Sequence, residues 1–188
     1  MKPSRRSVAT AILFATYLLT GLGNSSPGAL ANTSPSEPPP KAYRLRLFNT
    51  HTYEHLDIVY RFDDAYVPEA LAELEHHLRD HRTGEETGFD PKLFDLLHDL
   101  AGAAGRPEAE FHVISGYRSP ETNALLRRQK KGVAEHSLHM KAQAIDIRLP
   151  EMASRRLRDV ALKLERGGVG YYSRSNFIHV DTGRVRRW

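Results

Sequence analysis

Two stretches near the start of the globular part of the chain alternate apolar and polar residues. Residues 43–47 place Tyr and Leu between arginines, and residues 56–60 repeat this alternation with Leu, Ile and Tyr. Such alternation is typical of a strand with one buried face. Because residues 49–52 between the two stretches read NTHT, the pattern predicts a β-hairpin.

Farther along the chain, apolar residues spaced three and four apart predict helices. Two of these helices begin with a capping residue followed by proline, Asp90-Pro91 and Ser119-Pro120. Because helices and strands are partly segregated along the chain, the pattern predicts an α+β fold: a single domain with a largely antiparallel β-sheet flanked by helices. The predicted helices span residues 68–82, 90–105, 119–130 and 151–166, and the later strands span residues 111–114, 143–149, 168–172 and 177–181.

The N-terminal residues have the composition of an export signal. A basic start, Met1–Arg6, precedes an apolar run, Val8–Leu22, and Ala29-Leu30-Ala31 supplies small residues for cleavage. The pattern therefore predicts an export signal peptide over residues 1–31. Ser4-Arg5-Arg6 resembles a twin-arginine signal, and the general export route is the alternative. The run is short for a membrane-spanning helix, which needs ~20 apolar residues, so no stable anchor is predicted after processing; a retained membrane anchor is the alternative.

The remaining chain divides into a spacer and one domain. Residues 32–42 are rich in Ser and Pro and end in three consecutive prolines before Lys41, which predicts an extended linker. Residues 43–188 are long enough to bury a core of their own. The protein is therefore predicted to be exported and to reside in the periplasm or cell envelope.

Charge and cysteine content exclude several classes of function. The chain has 27 basic and 23 acidic residues, and three of the basic ones lie in the predicted signal. Because the domain itself is almost neutral, no nucleic-acid partner is predicted. The chain has no cysteine, which excludes disulfides, thiolate zinc sites, iron–sulfur clusters and cysteine nucleophiles. Any metal must be held by histidine nitrogen or carboxylate oxygen.

Three residues form a candidate metal site on one face of the predicted sheet: His139, Asp146 and His179. Isoleucines flank Asp146, and apolar residues flank His179, so strand alternation turns Asp146, His179 and Asp181 away from the core. His139 precedes the Asp146 strand, where a loop can fold back. Two imidazoles and one carboxylate are the donor set of a catalytic zinc. The alternative is a cross-strand Asp146–His179 hydrogen bond with His139 solvated.

The motif around these residues resembles a known superfamily. Residues 137–146, SLHMKAQAID, are similar to the S-x-H-x-x-G-x-A-x-D motif of zinc peptidases related to D-Ala-D-Ala dipeptidases and hedgehog domains. Residues 115–119 (SGYRS), 167–172 (GGVGYY) and 176–183 (NFIHVDTG) resemble the MepK-type murein endopeptidase branch more closely. The resemblance covers about residues 43–188.

The resemblance implies a function and a set of site residues. The family's ligands fall on His139, Asp146 and His179, which would hold one Zn²⁺ per chain. Arg118 matches the arginine that stabilises the developing oxyanion in related dipeptidases, although it can instead pair with Asp181 or a helix carboxylate. The implied function is an exported zinc metallopeptidase that hydrolyses peptide cross-links of peptidoglycan, with the peptide stems as partner. The alternatives are a D,D- or L,D-carboxypeptidase of the same fold and a non-catalytic, zinc-stabilised peptidoglycan-binding module.

Two positions depart from the superfamily pattern. Ala142 replaces the motif glycine, so a left-handed conformation there would cost ~1 kcal/mol. Some relatives have a glutamate three residues before the last histidine and use it as the general base. This chain has Asn176 at that position, and an amide cannot accept a proton from the zinc-bound water. Asp181 is the candidate base, and its alternative role is to orient an imidazole as a hydrogen-bond acceptor. His136 and Glu135, close to His139, are further candidates for acid–base chemistry.

Overall fold

An eight-stranded β-sheet organises the described part of the chain, residues 38–129 and 132–188 of a computed structural model. Its order is β3-β2-β1-β4-β5-β7-β6-β8; the β1–β4 and β6–β8 pairs are parallel, and all other neighbours are antiparallel. The predicted α+β class with a largely antiparallel sheet is therefore confirmed. The strands are β1 Ala42–Asn49, β2 His55–Phe62, β3 Ala65–Tyr66, β4 Glu110–Ser115, β5 Ala144–Arg148, β6 Gly168–Tyr172, β7 Phe177–Asp181 and β8 Arg186–Arg187.

Four α-helices pack around this sheet in the described ranges. The Asp90 side chain accepts a hydrogen bond from the Lys92 backbone N–H, so the predicted cap at the start of α2 is present. Among the described residues, no helix has both the length and the apolar character needed to cross a membrane. The helices are α1 Pro68–His77, α2 Pro91–Ala103, α3 Pro120–Gln129 and α4 Ser154–Leu164, and short 3-10 turns span Leu138–Lys141 and Ser173–Ser175.

The boundaries of two helices differ from the prediction. Helix α1 ends at His77, so the predicted extension to residue 82 is wrong. Asp80 is buried there and accepts hydrogen bonds from the backbone N–H groups of Arg82 and Ser119, which bend the chain away from the helix axis. Helix α4 begins after a turn in which Glu151 has a φ of +61°, so it cannot start at residue 151 as predicted.

The hydrophobic core fixes which side chains the central strands present to the cleft. Ile145 and Ile147 in β5, and Ile178 in β7, are fully buried among apolar side chains of the core. Side chains alternate along a strand, so Asp146 and His179 point to the opposite face of the sheet. The predicted signal peptide and the linker up to residue 37 lie outside the described residues.

Candidate metal centre

Sheet register and one short turn position the three candidate ligands. Asp146 in β5 lies directly opposite His179 in the antiparallel partner β7. His139 lies in the 3-10 turn before β5, where the Ser137 hydroxyl caps its backbone N–H. The turn ends at Ala142 with φ 51° and ψ 37°, the left-handed conformation that normally favours glycine. This reversal of the chain folds His139 back over the strands.

The structure brings the three ligand atoms into a compact triangle. His139 Nε2 lies 3.1 Å from His179 Nδ1, and His179 Nδ1 lies 3.0 Å from Asp146 Oδ1. The third side of the triangle, His139 Nε2 to Asp146 Oδ1, measures 3.3 Å. Around a tetrahedral ion with ligand distances of 2.0–2.1 Å, neighbouring ligand atoms lie about 3.3 Å apart. The triangle therefore has the dimensions of a zinc site, and all three residues are buried.

Hydrogen bonds on the far side of each imidazole fix where its proton is. The His139 Nδ1 atom lies 2.8 Å from the carbonyl oxygen of Gly116, which can only accept, so Nδ1 carries the hydrogen. His179 Nε2 lies 2.9 Å from Asp181 Oδ2 and donates to it by the same reasoning. When both rings are neutral, the two nitrogens that face Asp146 therefore carry lone pairs. Three acceptors then converge without a donor, and this arrangement fits a bound cation.

The charges around the triangle agree with a cation site. Burial lowers the pKa of His139. Burial alone would raise the pKa of Asp146, but the neighbouring His139 and His179 outweigh it and lower that pKa below its usual range. Burial disfavours the charged form of His179, but hydrogen bonds to Asp146 and Asp181 outweigh burial and raise its pKa. In the metal-free protein, a proton on His179 therefore competes with a metal ion for the centre.

Asp181 lies behind His179 rather than at the cleft. It is fully buried and accepts backbone N–H bonds from Gly168 at 3.0 Å and Gly183 at 2.9 Å. Arg186 donates hydrogen bonds to both of its oxygens, from Nη1 to Oδ1 at 3.0 Å and from Nη2 to Oδ2 at 2.7 Å. Burial would raise the pKa of Asp181, but the bonds from His179 and Arg186 outweigh it and keep the carboxylate ionised. This geometry favours the orienting role over that of general base.

Arg118 lies beside the metal centre with unused hydrogen-bonding capacity. Its Nη2 atom is 3.6 Å from Asp146 Oδ2 and 3.5 Å from Ser115 Oγ, both long contacts. Its buried Nε has no hydrogen-bond partner among the described residues. Burial lowers the pKa of this guanidinium. The pairing with Asp181 considered from the sequence is not present, because Arg186 occupies that carboxylate.

Comparison with known proteins identifies the family. Residues 37–188 match the family model described as peptidoglycan L,D-endopeptidase MepK. The chain belongs to the MepK family. The Escherichia coli (strain K12) peptidoglycan L,D-endopeptidase MepK is 41% identical over 175 residues, which cover 90% of this chain and 94% of the relative. The probable peptidoglycan L,D-endopeptidase MepK of Haemophilus influenzae is 42% identical over 149 residues, or 79% of this chain and 80% of the relative. The predicted resemblance is thus confirmed.

In this MepK-family chain the candidate metal centre opens into a cleft of about 610 Å³. Asn176, at the position of the superfamily glutamate, has a φ of +52° and is exposed at the end of a 3-10 turn. The sequence analysis missed His51 and Arg82, because they lie far from the motifs along the chain and reach the cleft only in the folded structure. The cleft is lined by the three candidate ligands and Arg118, together with other residues that include His51, His81, Arg82, His136, Tyr172, Phe177, Arg186 and Trp188.

Proposed function

We propose that this chain is an exported, zinc-dependent endopeptidase that hydrolyses peptide cross-links of peptidoglycan. The observation that carries the proposal is the triangle of three acceptor atoms, His139 Nε2, Asp146 Oδ1 and His179 Nδ1, whose sides measure 3.1, 3.0 and 3.3 Å. Two nitrogens and one oxygen are typical of a catalytic zinc with an open fourth position. The relatives are peptidoglycan L,D-endopeptidases by name, which supports peptidoglycan as the substrate.

The chain's own residues hold and orient the metal. A bound zinc ion supplies Lewis-acid chemistry, because it polarises a carbonyl group and lowers the pKa of water to ~7. The Gly116 carbonyl and the Asp181 carboxylate each accept the outward N–H of one imidazole. They thereby hold both rings in the tautomer that presents a lone pair to the ion.

Arg118 acts on the scissile carbonyl group in this proposal. Its guanidinium is buried at the edge of the centre, and its Nε has no partner among the described residues. A fixed, charged donor in a site shielded from water stabilises an oxygen on which negative charge develops. The contact to Asp146 restrains the side chain without saturating it. We therefore assign the oxyanion role to Arg118.

His136 is the proposed proton acceptor. Asp181 is saturated with hydrogen bonds behind His179, and Asn176 is an exposed amide. Glu135 is not among the cleft residues, whereas His136 lines the cleft and is exposed to solvent. An imidazole is suited to proton transfer near neutral pH. We expect His136→Ala to lower kcat while zinc remains bound.

The N-terminal residues support export of the protein. Residues 1–31 serve as the signal peptide, and residues 32–41 serve as a spacer between the cleavage site and the domain, whose first strand begins at Ala42. This places the enzyme in the periplasm or cell envelope, where its polymer lies. N-terminal sequencing of the mature protein is expected to begin at Asn32. Retention of Met1 in the mature protein would contradict this part of the proposal.

Mass spectrometry of muropeptides tests the function. The purified protein is incubated with intact sacculi in zinc, in chelator, and in chelator followed by excess zinc. We expect cross-linked dimers to become monomers with zinc, to persist with chelator, and to be cleaved again when zinc is restored. Loss of single terminal D-amino acids would instead identify a carboxypeptidase. Sedimentation with sacculi without any product would identify a binding module, and either result would overturn the proposal.

A further inference from the structure

The cleft has chemically different sides. The sheet order places the ligand strands β5 and β7 between β4 on one side and β6 and β8 on the other. His51 lies on the β4 side, where its Nε2 is 3.1 Å from the Ile114 carbonyl, and its ring stacks on His81 at 3.8 Å. Arg82 follows His81 and also lines the cleft. Trp188 follows β8 and packs on His179, so it closes the other side.

A buried carboxylate joins the two arginine-bearing segments on the β4 side. Asp80 is almost fully buried, and its Oδ1 accepts the Arg82 backbone N–H at 2.9 Å. Its Oδ2 accepts the Ser119 backbone N–H, also at 2.9 Å. Because Ser119 directly follows Arg118, one side chain anchors the backbone beside both arginines. The backbone segments that carry the two arginines are therefore anchored to the same carboxylate, and both arginines line the cleft.

The positive charge of Arg82 is not neutralised within the described structure. Its exposed guanidinium has no ion-pair or hydrogen-bond acceptor among the residues described. Of the described cleft residues, Asp146 is the only acid, and it belongs to the candidate metal centre. Arg186 is neutralised by Asp181. Burial lowers the pKa of His81 to about 4, so this imidazole adds no positive charge near neutral pH.

We propose that Arg82 forms a subsite for a free carboxylate of the substrate, beside Arg118 and next to the scissile amide bond. This inference rests on the proposed function. In a peptide cross-link whose amide nitrogen comes from an α-amino group, such as that of diaminopimelate, the carbon that bears this nitrogen also bears a carboxyl group. Arg118 is assigned to the scissile carbonyl, so the neighbouring Arg82 is the guanidinium available to that carboxylate. A guanidinium binds a carboxylate through paired charge-assisted hydrogen bonds.

Matched substrates test the subsite. Two cross-linked muropeptides are prepared in which the diaminopimelate that supplies the scissile nitrogen carries either a free carboxylate or a carboxamide. We expect the zinc-loaded wild-type protein to favour the free acid by about 10- to 100-fold in kcat/KM, mainly through KM. Calorimetry with the released amine-side peptide, as acid and as amide, measures the same preference without hydrolysis.

Substitutions locate the effect. Arg82→Gln is expected to bring the acid-to-amide ratio close to one, and Arg82→Lys to retain part of the ratio. Arg155→Gln is the matched control, because Arg155 is exposed on α4 and does not line the cleft. Equal binding of acid and amide by the wild-type protein, or an equal loss for both in Arg82→Gln, would overturn the subsite. If the acid binds more tightly but neither substrate is hydrolysed, the proposed function fails and the subsite stands.

Discussion

Two carboxylates in this protein have nearly equal exposure but opposite surroundings. The side chains of Asp95 in α2 and Asp146 in β5 are 12% and 10% exposed. Asp95 accepts hydrogen bonds from the Tyr60 hydroxyl at 2.9 Å and the Tyr66 hydroxyl at 2.6 Å, and it forms an ion pair with Arg61, whose Nε lies 3.4 Å away. Asp146 Oδ1 instead faces nitrogens of His139 and His179, which carry lone pairs when both rings are neutral, and its Oδ2 lies 3.6 Å from Arg118 Nη2. Burial and residue type therefore do not distinguish a structural carboxylate from a metal ligand. The hydrogen-bond donors and acceptors that surround the carboxylate do distinguish them.

The donors around Asp95 stay protonated over the ordinary pH range. Burial, reinforced by the hydrogen bond to Asp95, raises the pKa of Tyr66 to about 12. Burial together with the Asp95 charge also raises the pKa of Tyr60. The Asp95 cluster, defined as Asp95 with Tyr60, Tyr66 and Arg61, is thus complete without any added ion. The candidate metal centre, by contrast, brings together three ligand atoms with the geometry to hold a metal ion.

The largest expected effect follows from removing a ligand. Asp146→Ala leaves two imidazole nitrogens that cannot hold a divalent ion tightly, so we expect zinc binding to be lost and hydrolysis to fall by about 1000-fold or more. Zinc content after dialysis and muropeptide release measure both effects. We expect the metal-free variant to remain folded, because the substitution also removes one of three hydrogen-bond acceptors that lie close together. Retained stoichiometric zinc would contradict the assignment of Asp146.

The matched substitution in the other cluster should have the reverse outcome. Asp95→Ala leaves two tyrosine hydroxyls and one guanidinium without their acceptor, so we expect the free energy of unfolding to fall by about 2–4 kcal/mol. Urea denaturation measures the loss, and zinc stoichiometry should remain one per chain. If Asp95→Ala also lost its zinc while still folded, the two clusters would not be independent.

Asp181 is expected to act on the metal through His179. Asp181→Asn removes the charged acceptor that orients the imidazole, so we expect zinc affinity to fall by about 10- to 100-fold. Hydrolysis at saturating zinc should recover most of its wild-type rate, since the variant still binds the ion. Competition with a fluorescent chelator measures the affinity, and near-UV circular dichroism checks the fold. A rate that stays collapsed at saturating zinc would instead support a proton-transfer role.

The stabilisation given by zinc should grow as the pH rises. In the metal-free protein the pKa of His179 is raised, so its contribution to stability is present below ~6.5 and is lost as the pH rises through the folded-state pKa. Zinc needs the same nitrogen deprotonated, so its binding strengthens over that interval. The difference in Tm between zinc-loaded and chelator-treated protein should therefore increase from pH 6 to 8. A constant or shrinking difference would contradict the competition.

The smallest expected effect concerns the turn before β5. Ala142 has a φ of 51°, and glycine would relieve a left-handed strain of ~1–2 kcal/mol. Ala142 is also fully buried, so glycine loses a methyl contact of ~0.8 kcal/mol and gains freedom in the unfolded chain. We expect Ala142→Gly to change the free energy of unfolding by less than about 1 kcal/mol. A larger change in thermal or urea unfolding would show that these terms do not offset one another.

Much of the fold and the candidate ligand triad could be predicted from local sequence patterns. Alternation places Asp146 and His179 on the face opposite the isoleucines, and the structure pairs them in register. The end of α1 could not be predicted, because the hydrogen bonds of Asp80 reach Ser119, which is distant along the chain. The hydrogen bonds from Arg186 to Asp181 could not be predicted for a related reason, because they form only when the chain after β7 folds back toward Asp181. Periodicity describes single elements and carries no information about such tertiary contacts.

Anomalous diffraction from crystals of the zinc-loaded protein is the most direct test that these three residues bind zinc. We expect one zinc peak per chain, at about 2.0–2.2 Å from His139 Nε2, Asp146 Oδ1 and His179 Nδ1. The outward nitrogens of both imidazoles should remain bonded to the Gly116 carbonyl and to Asp181. An ion held by other atoms, or no anomalous peak between these three side chains at saturating zinc, would contradict it.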